Sequence, residues 1–184
     1  MKRALLLSDS HGQNEEMIAV LEHFSDIDAI FHMGDIGNAK LLISNNRNCL
    51  TYIVRGNTDY DYDLPEQVAI DFAGKRILAT HGHRYVDYGG IDSLVYFGEE
   101  NNADVVLFGH IHRPVYMKVD TASRKGMIIC NPGSISRPRQ RDREKTFAVL
   151  SVADNGDVEI EHYCVYEETP GVFVLEQYKI IESE

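Results

Sequence analysis

"LLLSDSHG", Leu5 to Gly12, decides the reading of the fold. Three leucines give way at once to Asp9, Ser10, His11 and Gly12. A strand with one wet face alternates apolar and polar residues. One that is apolar at every position is covered on both faces, like the central strand of a sheet flanked by other layers. Arg3–Ser8 is therefore read as a buried strand. Its end releases a carboxylate and an imidazole two residues apart, at the place where such sheets build a binding crevice.

Working outward, the same pattern recurs. Asn14–Phe24 has Met17, Ile18, Val20, Leu21 and Phe24 at helical spacing. The Asn14 side chain can accept a first-turn N–H and cap that helix. Ala29–Met33 is a second strand, running into "GDIGN", and Leu41–Ser44 belongs to a short helix. Leu50–Val54 is a third strand, running into "RGNTD". Then the texture changes. Gln67–Phe72 and Arg76–Thr80 flank "AGK" as a hairpin. Tyr96 to Asn102, with the apolar residues before it, reads as a helix. Val105–Phe108, Val115–Val119, Met127–Cys130, Thr146–Val152 and Val158–Tyr166 read as strands, and "DNG" at Asp154–Gly156 turns the last two. The tail, Val172–Ile181, is apolar enough to pack on the protomer's own sheet or across a homo-oligomer. Helix-linked strands followed by hairpin-linked strands predict an α/β fold, two layers of sheet with helices outside, in a single domain over 1–184.

Bulk properties narrow the function. A formal net charge of −11 repels polyphosphate backbones, so long nucleic acid is not an expected partner. No apolar run is long enough to span a membrane, and the start does not resemble a signal peptide. The expectation is a cytoplasmic protein with no membrane partner. Cys49, Cys130 and Cys164 have no CxxC spacing and read as buried small hydrophobes in a reducing compartment.

The strand ends carry the chemistry. The first gives Asp9 and His11, the second Asp35, the third Asn57, the fifth His81, and the next His110 and His112. A lone strand-end aspartate is usually a turn former, and a lone histidine is usually just hydrogen-bonded. Independent explanations at five strand ends are much less probable together. Neutral imidazole and carboxylate suit manganese, iron or zinc. Seven ligands exceed one tetrahedral ion, whereas two ions sharing a carboxylate fit. Such a pair acidifies a shared water to hydroxide and holds both oxygens of a phosphoryl displacement. His23, His32 and His162 lack such partners and read as structural.

These motifs resemble those of the calcineurin-like metallophosphoesterase superfamily, whose pattern is D-x-H, G-D, G-N, G/T-H-G and G-H-x-H. Here they stand as Asp9-Ser10-His11, Gly34-Asp35, Gly56-Asn57, Thr80-His81-Gly82 and Gly109-His110-Ile111-His112. "NPGS", Asn131–Ser134, is similar to a further element of the small, single-domain phosphodiesterase branch, the YfcE type. The resemblance implies a two-sheet β sandwich flanked by helices in four αββα layers. It implies one ion on Asp9, His11 and His112, another on Asn57, His81 and His110, and Asp35 bridging. Manganese is the metal it points to first, with nickel, iron or zinc as alternatives. It implies hydrolysis of a small phosphodiester by a hydroxide bridging the metals, with no further catalytic side chain.

One position departs. Many superfamily phosphatases have histidine after the G-N asparagine, where it can protonate the leaving group. Thr58 stands here and cannot serve as an acid near pH 7. Good leaving groups and diesters are therefore expected to be favoured. Arg84, Arg113, Arg137 and Arg139 can grip a phosphate, and His83 stands near the cluster. The loop Arg137–Lys145 otherwise reads as a solvated charge run. Tyr60, Tyr62, Tyr85 and Tyr88 read as loop packing before base stacking. The competing function is a protein-binding scaffold on the same fold, since relatives such as a retromer-coat subunit have degraded metal sites; all seven positions are filled here. A hydrolase triad of Ser8 or Ser10 with His11 and Asp9 fails because sequence neighbours cannot easily reach triad geometry, and no G-x-S-x-G elbow is present.

Overall fold

β1 (Lys2–Leu7) is buried on both faces because its side chains alternate between two cores. Leu5 and Leu7 pack with Met17, Val20 and Leu21 of α1 (Glu15–His23). Ala4 and Leu6 face the other way, onto a second sheet. Truncating such a fully buried leucine to alanine costs about 2–5 kcal/mol. The computed structural model describes residues 1–45 and 49–180.

The first sheet adds β2 (Ala29–His32), β3 (Leu50–Ile53), β9 (Lys145–Val152), β10 (Val158–Thr169) and β11 (Val172–Gln177), in the order β11-β10-β9-β1-β2-β3. The second contains β4 (Gln67–Phe72), β5 (Lys75–Thr80), β6 (Val105–Leu107), β7 (Pro114–Val119) and β8 (Met127–Pro132), in the order β4-β5-β6-β8-β7. Period-2 alternation explains the layering. Phe31, Leu150, Ile77, Leu107 and Cys130 meet between the sheets. Leu78, Val106 and Ile129 point outward onto Leu94 and Phe97 of α3 (His83–Glu100). With α1 and α2 (Lys40–Asn45) on the opposite outer face, the result is the expected αββα order.

Parallel pairing aligns the strand ends. β1 runs parallel to β2 with Leu5 opposite Ile30, and β2 to β3 with Ile30 opposite Thr51. β5, β6 and β8 are likewise parallel. Loops that follow parallel strands emerge together, so both sheets deliver theirs to one end of the sandwich.

Several local expectations are corrected. Asn14 occupies the N-cap position of α1, but its side chain makes no cap bond; its amide donates to Asn38 Oδ1 at 3.1 Å. The helix expected around 96–102 begins at His83. The Gly89–Gly90 pair interrupted its periodicity, and Gly90 indeed leaves helical geometry at φ 65°, ψ −165°. The tail supplies β11, which pairs with β10 with Val174 opposite Tyr166; Ile181 lies outside the described residues. Cys130 and Cys164 are buried, whereas Cys49 is half-buried at the start of β3. Among the described residues, no helix is long and apolar enough to cross a membrane.

Candidate metal centre

Asp9 and His11 follow β1, Asp35 follows β2, Asn57 follows β3, His81 follows β5, and His110 and His112 follow β6. Backbone bonds tie the first two loops together: Asp9 N donates to Gly34 O at 3.1 Å and His11 N to Asp35 O at 2.8 Å. All seven residues converge in two groups joined by Asp35.

In the first group, single atoms of Asp9, His11, Asp35 and His112 lie within 4.8 Å of one another. His11 Nε2 is 3.2 Å from His112 Nε2 and 3.6 Å from Asp35 Oδ2. In the second, Asn57 Oδ1 is 2.9 Å from His81 Nε2 and 3.1 Å from His110 Nδ1. His81 Nε2 is also 3.6 Å from Asp35 Oδ1. Asp35 thus turns one oxygen to each group.

Proton accounting shows what the cluster is suited to hold. His112 Nδ1 is 2.6 Å from the Arg137 carbonyl, and His81 Nδ1 is 2.7 Å from the Met33 carbonyl. A carbonyl only accepts, so both Nδ1 atoms carry hydrogen and both neutral rings aim Nε2 lone pairs into the site. His110 Nε2 meets Asp87 Oδ1 at 2.9 Å, which leaves its Nδ1 lone pair facing Asn57 Oδ1. Asp9 Oδ1 is buried with no hydrogen bond. Acceptors therefore face acceptors, an arrangement a divalent cation resolves. Second partners that fix the ring orientation, as the two carbonyls do, are typical around metals.

Electrostatics follow from this crowding. Burial pushes the Asp9 carboxyl up, but the neighbouring His112 imidazole, the charge of His81 and the Ser8 hydroxyl hold it below its ordinary value overall. Burial lowers the His11 imidazole against the pull of Asp35 and Asp9.

The backbone is bent to deliver these groups. Among the described residues, eight non-glycine residues have positive φ, and five of them are Asp9, His11, Asp35, His110 and His112. Such left-handed backbone costs energy and gathers at functional sites. Two glycines let the loops close in. A Cβ on Gly109 would stand 2.0 Å from Ser8 Oγ, and one on Gly56 would stand 2.0 Å from Asp35 Oδ1.

A cleft of about 480 Å³ opens over the cluster, lined by His11, Asp35, Asn57, Thr58, His110 and His112 and by Arg137, Arg139 and Arg143. The charge run is thus not merely solvated: its arginines form one wall. Arg113 is exposed and does not line the cleft, and Arg84 is paired with Glu66. His83 lies against the cluster, its ring centroid 5.4 Å from that of His81 and 6.0 Å from that of His110. Burial, then the charges of His81 and His110, lower its imidazole. Tyr85 packs on Phe97, but Tyr60 and Tyr88 are 88% and 90% exposed, contrary to the loop-packing expectation. His32 and His162 are structural, held by Ser10 and by the Asn131 carbonyl.

Sequence reasoning missed several supports. Ser134 and Ser136 each donate a hydroxyl to the Asp9 carbonyl at 2.8 Å, and Asn131 donates to the Gly109 carbonyl at 2.7 Å. "NPGS" is the signal for Asn131 and Ser134; Ser136 lies beyond it. Asp59 accepts from Gly56 N and Gly37 N. Asp87 had no signal, because its distance from His110 in sequence is closed only by the fold of α3 over the strand ends.

The fold and the site define a class. The model of the calcineurin-like phosphoesterase superfamily domain matches residues 1–155, and the chain belongs to that superfamily. It is 31% identical over 153 residues to the probable metallophosphoesterase YsnB of Bacillus subtilis (strain 168), covering 82% of this chain and 85% of the relative. A probable metallophosphoesterase of Methanothermobacter thermautotrophicus is 30% identical over 142 residues, covering 74% of this chain and 79% of the relative. Among solved structures, a predicted phosphoesterase from Streptococcus pneumoniae TIGR4 superposes with a TM-score of 0.74 at 26% identity, over 96% of this chain and 98% of that one. Vps29 from Chaetomium thermophilum reaches 0.74 at 18% identity, over 96% and 95% of the two chains, which shows the fold alone.

Proposed function

We propose that the protein is a dinuclear metal-dependent phosphodiesterase acting on a small phosphodiester in the cytoplasm. Asp9, His11 and His112 would hold one divalent ion, Asn57, His81 and His110 the other, with Asp35 shared. The observation that carries this is the buried, unpartnered Asp9 Oδ1 set among imidazole lone pairs whose own protons point away. Manganese is the first candidate, because the ligand set of nitrogen and oxygen admits it without thiolates.

Bound ions would act as Lewis acids on the phosphoryl oxygens and acidify a water to the neutral range. The chain's own residues do the rest. Asp35, with one oxygen toward each group, sets the separation of the two sites. The Met33 and Arg137 carbonyls keep His81 and His112 in the ligating tautomer. Arg137, in the cleft wall beside His112, would grip a non-bridging phosphoryl oxygen. Thr58, at the cleft wall, offers no proton near pH 7, so departure depends on the leaving group.

The test is hydrolysis of bis(p-nitrophenyl) phosphate by metal-stripped protein, with manganese, nickel, zinc or magnesium restored singly. Metal-dependent cleavage lost in Asp35→Asn and His112→Ala is expected. Two bound ions without turnover of any phosphoester would instead support a protein-binding scaffold.

A further inference from the structure

The arginine wall exceeds what one phosphodiester needs. A diester phosphorus has two non-bridging oxygens, and one guanidinium can take both. Arg137 adjoins the cluster, its carbonyl 2.6 Å from His112 Nδ1 and its side chain in the cleft wall. Arg139 and Arg143 line the same cleft beside Pro138. Among the described residues, none of the three arginines is paired with an acid. The Arg143 guanidinium donates to the Pro138 carbonyl at 2.9 Å. Of the two acids in the loop, Asp142 accepts the Tyr178 hydroxyl at 2.8 Å, and Glu144 lies outside the cleft lining.

The loop is also anchored, unlike a solvated charge run. Arg139 N donates to the His112 carbonyl at 2.9 Å, and Arg137 N donates to Ser134 Oγ at 2.7 Å. Arg143 is held at φ 61°, a backbone cost that a loose loop would relax. In a chain of net charge −11, three guanidiniums without an acid partner, carried on an anchored loop along one cleft, make a local anion track.

We infer that the substrate carries phosphate beyond the phosphorus that is attacked: an ester of a pyrophosphate or longer phosphate chain, its distal phosphates on Arg139 and Arg143. The inference rests on the phosphodiesterase reading of the adjoining cluster, and the experiments separate the two.

The first experiment is calorimetric titration of metal-free protein with inorganic tripolyphosphate and with orthophosphate. Tripolyphosphate is expected to bind at least about tenfold tighter, with the advantage lost in Arg139→Ala/Arg143→Ala and reduced by salt. Equal affinities, or a variant that binds like the parent, would overturn the inference even if bis(p-nitrophenyl) phosphate is cleaved. The second compares kcat/KM of manganese-loaded protein for diadenosine triphosphate and bis(p-nitrophenyl) phosphate, in parent and double variant. A ratio that falls about 100-fold in the variant supports the track, and an unchanged ratio overturns it. Selective tripolyphosphate binding without cleavage of either ester would keep the anion track and defeat the phosphodiesterase reading alone.

Discussion

Ser8 donates its hydroxyl to Oδ2 of Asp9 at 2.6 Å, both side chains fully buried. The His110 amide donates to the same oxygen at 3.1 Å. Oδ1 is left as the candidate ligating atom, 3.2 Å from His112 Nε2. Ser8→Ala should therefore weaken metal binding about 10–100-fold, the usual effect of removing such a support. Competition with a metal indicator measures it, and parental affinity in the variant would deny Ser8 this role.

Gly109→Ala tests the closeness of the loops. Its new Cβ would stand 2.0 Å from Ser8 Oγ and 2.9 Å from both Asp9 Oδ2 and the Met33 carbonyl. Overpacking of this kind costs about 1–3 kcal/mol. Urea unfolding should show that loss, and metal affinity should fall with it. A fully stable variant would mean that the loops part easily.

Thr58→His tests the missing proton donor. An imidazole at the cleft wall should raise kcat for alkyl esters about 100-fold and change nitrophenyl esters little, because only poor leaving groups need protonation. A rate for alkyl esters no higher than the parent's would show that protonation does not limit the reaction.

His32 gives a pH dependence. Burial lowers its imidazole from 6.5 to about 4. Its Nε2 meets Ser10 Oγ at 3.1 Å, and its Nδ1 is buried without a partner, so the ring is neutral in the fold. Between those two pH values the unfolded chain binds a proton that the native state refuses. Stability should therefore fall as pH drops from about 6.5 to about 4, by roughly 3 kcal/mol in all. Metal-stripped parent and His32→Gln, unfolded in urea at pH 7.5 and 5, measure it: the variant should lose less. Equal losses would place the pH sensitivity elsewhere.

The readable part of the molecule is the part set by local pattern. Unbroken apolar runs marked β1 and β2 because alternate faces meet different cores, and the polar residues after them marked the cleft. The layered sandwich followed from the order of helix-linked and hairpin-linked strands. What escaped depends on contacts between distant segments. Arg113 adjoins His112 in sequence yet points to solvent, while Arg143, far along the chain, reaches the cleft because its loop is pinned to the His112 carbonyl through Arg139. Ser136 and Asp87 were silent for the same reason.

Five residues of the cluster sit in left-handed backbone, at φ 54° for Asp9, 48° for His11, 53° for Asp35, 67° for His110 and 56° for His112. Each holds on the order of 1–3 kcal/mol of strain. Any change there that relaxes the chain is rewarded by the fold itself, whatever it does to turnover. Rigidity of the sandwich and delivery of the candidate ligands therefore pull in opposite directions at the same five residues. Only glycine adopts this backbone freely, so the one exchange that relaxes these loops also removes a candidate ligand.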